Sequence, residues 1–312
     1  MDKVLIFGIS GFVGKYLSQE FINNGYAVYG SDKVCGENIP TEVLFYSSDL
    51  LDTVGIERLI HEIKPNIIIN LAAISSVGKS WGMPQTTIMI NVVGAINIME
   101  AARKLKIKPK IMFIGSSEEY SSSDNPIDEN YDLNANNPYG ISKVTQERFA
   151  QLYRERYNMK IYCVRPFNHT GIGQHESFVL PSFCKQVAEI ELSGRSGVIK
   201  VGNMSARRDF SHVRDIVRAY RMIVESDNYQ KIYNVGYGKA YGLSELLNYI
   251  INLSHQKICV EVDEERVRPV DNPVICCDRN LITKDLGWNP EYTVFDALDE
   301  MYFNYVMKNG KN

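Results

Sequence analysis

Three features are scarce in this sequence of 312 residues: long hydrophobic runs, paired cysteines and an excess of charge of one sign. No apolar run approaches the roughly 18–20 residues that a transmembrane helix needs. The stretch 1-MDKVLIFGISGFVG-14 leads into glycines rather than to a signal-peptide cleavage site. The six cysteines are scattered without a CxxC pair, so we expect reduced packing residues. These absences predict a cytoplasmic protein with no membrane partner.

The balance of charge also argues against polyanionic partners. The formal net charge of −3 gives no electrostatic reason to expect binding to nucleic acid or to an anionic membrane. His169 and His175 share one loop, but no second ligand group at metal-binding spacing accompanies them. We therefore predict no metal site and no nucleic-acid partner.

The first half of the chain contains a regular alternation of short apolar runs and longer helical patterns. This alternation predicts parallel strands joined by right-handed crossovers, with helices on both faces. The expected fold is α/β, with a Rossmann-type doubly wound parallel sheet. The predicted strands are Val4–Phe7, Ala27–Gly30, Ile67–Leu71, Lys110–Ile114 and Lys160–Val164. The predicted helices include Val13–Asn23, Gly55–Ile63, Thr86–Lys104 and Ser142–Tyr157.

The second half is less regular, with helical patterns at 180–192, 212–225 and 243–254. Ligands bind beyond the carboxyl ends of the strands in sheets of this class, so a smaller, mixed C-terminal portion above that edge would supply substrate contacts. We predict a dinucleotide-binding domain with the catalytic residues at 1–165. The remainder, 166–312, would be mainly substrate-binding, with some segments returning to the first domain.

The segment 8-GISGFVG-14 follows the first strand and opens a helix. Its glycines would allow a tight turn and close approach of the backbone to a pyrophosphate, whose charge meets the helix N-terminus. We therefore predict that Gly8, Gly11, Phe12, Val13 and Gly14 bind a dinucleotide. A plain glycine turn remains the alternative, because such turns are common.

Two carboxylates after the next strands bear on the kind of dinucleotide. Asp32 comes 18 residues after the last glycine of the loop. A carboxylate there can accept hydrogen bonds from a ribose 2′-OH and repels a 2′-phosphate, so Asp32 favours NAD(H). The adjacent Lys33 leaves room for NADP(H). Asp49, with Leu50 beside it, would either contact the adenine amino group or cap a turn of helix.

Tyr139 and Lys143 lie four residues apart in 138-PYGISK-143, on one face of a predicted helix. A lysine ammonium near a tyrosine stabilises the phenolate, so we expect a lowered pKa for Tyr139. Such a tyrosine can exchange a proton with an alcohol or ketone while nicotinamide exchanges a hydride. A purely structural Tyr-x-x-x-Lys pair remains the alternative.

These motifs, with the hydroxyl-rich strand end 115-GSSEEY-120, resemble the extended short-chain dehydrogenase/reductase family, also called the nucleotide-sugar epimerase/dehydratase family. The resemblance covers nearly the whole chain. It implies that Ser116, Tyr139 and Lys143 form the triad that transfers the proton to or from the substrate oxygen. It also places Glu118 where dehydratases keep the base that removes the C5 proton, although a carboxylate that only positions sugar hydroxyls is equally open. Further cofactor contacts are implied for Leu71, Ala72 and Ala73, in 70-NLAAISSV-77.

The second half resembles two branches of this family that act on GDP-sugars. The segment 165-RPFNHTGIGQ-174 is similar to one in GDP-4-keto-6-deoxy-D-mannose reductases. The stretches 201-VGNMSARRDFSHVRDIVRAY-220 and 268-RPVDNP-273 resemble both these reductases and GDP-mannose 4,6-dehydratases. Arginine can bind phosphate oxygens bidentately, and carboxylates can accept from ribose hydroxyls. The residues predicted to contact a GDP-linked hexose are Ser76, Ser117, Asn168, Val179, Lys185, Arg208, Arg268 and Asp271.

The resemblance favours a reductase that transfers a hydride from NAD(P)H to C4 of GDP-4-keto-6-deoxy-D-mannose, giving GDP-D-rhamnose. Three alternatives remain open: a GDP-mannose 4,6-dehydratase, another NAD-dependent GDP-sugar C4 dehydrogenase or epimerase, and a non-catalytic NAD-binding sensor. Relatives commonly pair through two helices to form a four-helix bundle. The resemblance therefore also implies a homodimer, through Thr86–Lys104 and Ser142–Tyr157.

Overall fold

A parallel sheet of seven strands lies at the centre of the protein. The structure is a computed structural model, and it describes residues 1–37, 39–266 and 273–309. The strands, in chain order, are β1 (Lys3–Phe7), β2 (Ala27–Asp32), β3 (Leu44–Ser47), β4 (Ile67–Asn70), β5 (Lys110–Ile114), β6 (Ile161–Pro166), β7 (Asn168–Thr170), β8 (Gly197–Val201), β9 (Arg207–His212), β10 (Ile232–Val235), β11 (Ala240–Gly242), β12 (Ile258–Val262) and β13 (Val274–Ile275). The central sheet has the order β10-β6-β5-β4-β1-β2-β3, and its neighbouring strands are parallel.

Helices cover both faces of this sheet. They are α1 (Phe12–Asn23), α2 (Thr53–Ile63), α3 (Val77–Gly82), α4 (Pro84–Ile88), α5 (Gly94–Lys104), α6 (Pro138–Tyr157), α7 (Val179–Ser193), α8 (Val213–Glu225), α9 (Leu243–Ile251), α10 (Asn280–Leu286) and α11 (Val294–Asn309). One buried apolar cluster joins the sheet to α1, α8 and α10, and a second joins it to α2, α5 and α6. Because both faces are covered, the central strands are almost wholly apolar. The predicted α/β fold with a Rossmann-type doubly wound sheet is confirmed.

The C-terminal half builds a smaller layer beside the sheet edge and also contributes to the main sheet. Strands β11, β9 and β13 form a small mixed sheet in which β7 also pairs with β9, and β8 pairs with β12. A separate apolar cluster packs α7, α9 and α11 together. Strand β10 pairs with β6, so this segment of the second half lies in the main sheet. Every helix of the described residues is too short or too polar to cross a membrane.

Local signals in the sequence set the ends of the helices that position the site. Helix α6 begins after Asn137, whose side chain accepts from the Gly140 N–H, and Pro138 occupies its first turn. It ends at Asn158, which has a left-handed φ of 51°. The capping therefore fixes where Tyr139 and Lys143 stand in the first turns of the helix.

The predicted helix Thr86–Lys104 differs from the observed one. The structure has α4, then a π turn at Met89–Val93, then α5, all in one continuous run. Such π turns are rare in helices and often occur at functional sites. Hydrophobic periodicity does not distinguish one wide turn from regular helix, so the pattern could not reveal it.

Candidate active site

A large cavity opens at the carboxyl ends of the central strands, where the binding crevice of a doubly wound sheet is expected. Its volume is about 1270 Å³. Every predicted site residue that the structure describes lines it. These are Gly8, Gly11, Phe12, Val13, Gly14, Asp32, Lys33, Asp49, Leu50, Leu71, Ala72, Ala73, Ser76, Ser116, Ser117, Glu118, Tyr139, Lys143, Asn168, Val179, Lys185 and Arg208. The other two, Arg268 and Asp271, lie outside the described residues.

The glycine loop between β1 and α1 forms one end of the cavity. Gly8 has φ of 80°, and a Cβ there would lie only 2.5 Å from the backbone nitrogen of Ala72. At Gly14 a Cβ would lie 2.1 Å from the Ile9 carbonyl oxygen. Helix α1 starts after Gly11 without a side-chain cap among the described residues, so its first N–H groups remain available to a ligand. This loop and helix end fit a pyrophosphate, which needs close backbone approach and N–H donors.

Asp32, at the end of β2, faces this loop. Its Oδ2 accepts from the Ser10 N–H at 3.2 Å, and its Oδ1 accepts from the Lys33 N–H at 2.8 Å. The Lys33 ammonium pairs with the Asp49 carboxylate at 2.8 Å and lowers the pKa of Asp49. Helix α2 is capped by Asp52 rather than by Asp49. The predicted contact of Asp49 with adenine stays a prediction.

The strand end of β5 carries the hydroxyl-rich segment into the middle of the cavity. Ser116 caps a short 3₁₀ turn, because its Oγ accepts from the Glu118 N–H at 3.1 Å. The Ser116 N–H in turn donates to Glu119 Oε1 at 2.7 Å. The carboxylate of Glu118 accepts from Asn137 Nδ2 at 3.0 Å. Hydrogen bonds of Ser116, Glu118 and Glu119 therefore hold the segment as an ordered turn.

Tyr139 and Lys143 lie on the cavity wall formed by α6, and both are buried. The expected lowering of the Tyr139 pKa is not found. Burial raises that pKa well above its usual value, and the hydrogen bond from Ser116 only partly offsets the rise. The Lys143 ammonium lies 5.8 Å from the Tyr139 ring centroid and donates to the Ile114 carbonyl oxygen at 2.7 Å. Desolvation by burial, which sequence spacing cannot reveal, therefore determines the direction of the Tyr139 pKa.

The far end of the cavity is lined by the predicted substrate-binding residues. Asn168 lies in β7 and Val179 begins α7. The Lys185 ammonium pairs with the Glu176 carboxylate at 2.5 Å and lies 3.8 Å from Glu189, so it stands beside two carboxylates. Arg208 donates to the backbone carbonyl oxygen of the preceding residue at 2.9 Å. The roles predicted for these residues in phosphate binding stay predictions.

Two residues that sequence reasoning did not assign to the site have clear places there. His169 lines the cavity beside Phe12, with ring centroids 6.2 Å apart and nearly parallel planes, and burial lowers its pKa. Asn91, in the π turn, accepts from the Ile74 N–H and donates to Ser142 Oγ, both at 2.8 Å. It therefore ties the loop after β4 to helix α6, which carries Tyr139 and Lys143. In the sequence, the only indication of this role was that Asn91 is a polar residue within a mostly apolar helix pattern.

Comparison with known proteins gives consistent matches over nearly the whole chain. A family model described as GDP-mannose 4,6 dehydratase matches residues 5–301. GDP-6-deoxy-D-mannose reductase of Pseudomonas aeruginosa is 26% identical over 95% of this chain and 95% of that protein. GDP-mannose 4,6-dehydratase of Yersinia enterocolitica is 27% identical over 96% of this chain and 93% of that protein.

Solved structures show the same architecture. A structure described as RMD from Pseudomonas aeruginosa complexed with NADPH superimposes with a TM-score of 0.87. The alignment covers 99% of this chain and all of that one at 24% identity, so this likeness concerns the fold.

Proposed function

Because this chain belongs to the GDP-mannose 4,6-dehydratase family of extended short-chain dehydrogenases/reductases, we propose that it is a nucleotide-sugar oxidoreductase. The proposed reaction is reduction of the C4 keto group of GDP-4-keto-6-deoxy-D-mannose to give GDP-D-rhamnose. The observation that carries this proposal is the shared cavity. One cavity is lined by the glycine loop, by Ser116 and Tyr139, and by part of the segment 165-RPFNHTGIGQ-174.

In this reaction Tyr139 is the proton donor. Nicotinamide, when bound, supplies the hydride to C4. Burial keeps the Tyr139 hydroxyl protonated across neutral pH, so it can give its proton to the alkoxide that develops at O4. Ser116, whose side chain interacts with Tyr139, would donate a hydrogen bond to the same substrate oxygen and stabilise its charge. Lys143 fixes the β5 strand end through Ile114 and adds positive charge behind the tyrosine.

Glu118 is the residue that separates a reductase from a dehydratase. Its carboxylate already accepts a hydrogen bond from Asn137 Nδ2 at 3.0 Å, which holds one of its oxygens in place. This contact favours a role in positioning sugar hydroxyls over removal of the C5 proton. The dehydratase remains the second candidate, because the carboxylate lines the cavity beside Ser116.

The cofactor that we propose is NAD(H). Asp32 carries a carboxylate at the position that would meet the ribose, and its Oδ2 contact with Ser10 aims it at the glycine loop. The one cation beside it in sequence, Lys33, is paired with Asp49. Its charge is therefore offset by a neighbouring carboxylate, which weakens it as a partner for a 2′-phosphate.

We also propose a homodimer built from the helical run of α4 and α5 together with α6. Large apolar side chains on these helices are exposed in the single chain: Ile88 36%, Met89 44%, Ile141 48%, Leu152 55% and Tyr157 46%. Scattered exposed apolar residues are ordinary, but several along two packed helices fit an isologous interface. In light scattering the protein should have the mass of a dimer, and Leu152→Glu should shift it to monomer. A monomeric wild type would contradict this proposal.

Two matched variants test the reaction. Tyr139→Phe should lose roughly 10²–10⁴-fold in the rate of keto-sugar reduction, the usual contribution of a general acid. Its affinity for NADH should change little. Glu118→Gln should keep most of the reductase rate, because the amide can still hold sugar hydroxyls. If Glu118→Gln instead abolishes conversion of GDP-mannose by an active wild type, the dehydratase assignment replaces this one. A non-catalytic sensor predicts NADH binding and no conversion of any GDP-sugar.

A further inference from the structure

Glu119 is a fully buried carboxyl that the proposed mechanism does not use. It lies directly behind Ser116, because its Oε1 accepts from the Ser116 N–H at 2.7 Å. The space around it is tight: a Cβ on Gly115 would lie 2.3 Å from the same oxygen. Its second oxygen, Oε2, has no hydrogen-bond partner among the described residues. A buried polar atom left without a partner is costly, so its retention calls for an explanation.

A salt bridge with Arg165 does not fully account for the burial of the Glu119 carboxyl. The nearest guanidinium belongs to Arg165, but Arg165 Nε lies 3.8 Å from Glu119 Oε2, beyond hydrogen-bond distance. Arg165 instead binds Glu147 through two hydrogen bonds, at 3.0 and 2.5 Å. The positive charge of Arg165 is therefore largely offset by Glu147. Burial, and after it the Glu147 carboxylate, raises the pKa of Glu119 to about 8, so its charge has to be balanced where Glu119 is ionised, at alkaline pH.

The remaining buried cation in this region is the active-site lysine. Lys143 is 3% exposed, and burial lowers its pKa to about 8, while the carboxylate of Glu119 acts in the opposite direction. Both groups bind the same strand end: Lys143 donates to the Ile114 carbonyl oxygen, and Glu119 accepts from the N–H two residues further on. Arg165 with Glu147, and Lys143 with Glu119, would then give two cations and two carboxylates with zero net charge.

We propose that Glu119 is a positioning residue that holds Ser116 in its reactive place and is the buried counter-charge that raises the pH at which Lys143 loses its proton. It acts through Ser116 and Lys143 and does not itself touch substrate. Besides Lys143, the titratable groups that bear on it are Glu147 on α6, Arg165 on β6, and Tyr139 and Cys163, whose own titration it disfavours. The activity part of the proposal rests on the proposed reductase function.

The direct test measures the protonation of Lys143 without any turnover. Competitive acetylation of the full-length protein over a pH series, read by mass spectrometry, gives the pH at which Lys143 becomes reactive. Glu119→Gln keeps an oxygen for the Ser116 N–H but removes the charge, so this midpoint should fall by about one pH unit, the lower end of the effect of a close opposite charge. Glu100→Gln is the control, because Glu100 pairs with Arg103 at 2.7 Å, away from the cavity, and should leave the midpoint unchanged. An equal midpoint in wild type and Glu119→Gln overturns the counter-charge.

A second variant tests the contact with Ser116 separately. Glu119→Leu removes both the charge and the acceptor; because the loss of one partner in a buried charged group is destabilising, its rate is compared with the wild type only below the temperature at which thermal unfolding of the variant begins. The alkaline limb of the keto-sugar reduction profile should move to lower pH in both variants, whereas only Glu119→Leu should also lose rate at neutral pH. Equal neutral-pH rates for wild type and Glu119→Leu would overturn the positioning of Ser116. If the wild type reduces no keto sugar, the proposed function fails, and the acetylation midpoints still decide the role of Glu119.

Discussion

Replacing Asp32 should exchange the cofactor preference of this protein. Its carboxylate has two separable roles. It anchors the glycine loop by accepting from the Ser10 N–H at 3.2 Å, and we propose that it also presents a negative charge to the cofactor ribose. Asp32→Ala removes both roles. Asp32→Asn keeps an oxygen for the Ser10 N–H and removes only the charge.

The magnitude follows from the hydrogen bond that is lost. A hydrogen bond to a charged group contributes about 1.5–3 kcal/mol, and about 1.4 kcal/mol is tenfold in affinity, so Asp32→Ala should weaken NADH binding by roughly 10–150-fold. Asp32→Asn should weaken NADH binding less, because its amide oxygen can still accept a neutral hydrogen bond, which contributes about 0.5–1.5 kcal/mol. Both variants should bind NADPH more tightly than the wild type does, because the repulsion of the 2′-phosphate is gone.

Titration calorimetry with NADH and NADPH on the three proteins measures these changes. If Asp32→Asn binds NADH as well as the wild type while Asp32→Ala does not, Asp32 only anchors the loop and the charge argument is wrong. If Asp32→Ala also binds NADH as well as the wild type, the carboxylate does not meet the ribose. NADPH affinity that stays unchanged in both variants would likewise refute the repulsion.

Two further predictions concern the packing that supports the site. Gly14→Ala should unfold at a lower urea concentration and lose NADH binding, because the new Cβ would lie 2.1 Å from the Ile9 carbonyl oxygen. Gly82→Ala is the control: a Cβ there has no atom within 4 Å, so this variant should match the wild type in the same titration. Glu147→Met should lower the free energy of unfolding by about 3–5 kcal/mol in urea denaturation, because it leaves the Arg165 guanidinium buried without its bidentate partner. A loss below about 1 kcal/mol, the range of an exposed pair, would show that the Arg165 charge is balanced elsewhere.

The sequence was most informative where one local pattern determines the structure. Apolar runs bounded by turns located the strands of the first half, and the Pro-Tyr-Gly start of α6 placed Tyr139 and Lys143 at the cavity. Strand ends were less certain. Strand β2 continues past the predicted Gly30 to Asp32, because Ser31 is buried and pairs with β1. A small polar residue at the end of a predicted strand does not indicate whether its pairing with the neighbouring strand continues.

What the sequence could not supply is the environment that tertiary packing creates. Spacing placed Lys143 near Tyr139, but the direction of the Tyr139 pKa depends mainly on burial, which raises it. Lys185 stands beside Glu189, four residues further along α7, and beside Glu176, which comes close through the turn before that helix. Sequence spacing reveals only the first contact, and the predicted role of Lys185 near phosphate stays a prediction. The burial of Glu119 behind Ser116 also depends on Arg165 and Glu147, from segments distant along the chain.

The most direct test of the account is a single assay on the purified wild-type protein. GDP-4-keto-6-deoxy-D-mannose is mixed with NADH or NADPH in separate reactions, and the absorbance of reduced nicotinamide is followed together with the sugar product. The account predicts stoichiometric loss of that absorbance with formation of GDP-D-rhamnose, faster with NADH than with NADPH at limiting cofactor. No loss with either cofactor, together with dehydration of GDP-mannose in a parallel reaction, would contradict the reductase and make Glu118 the catalytic base.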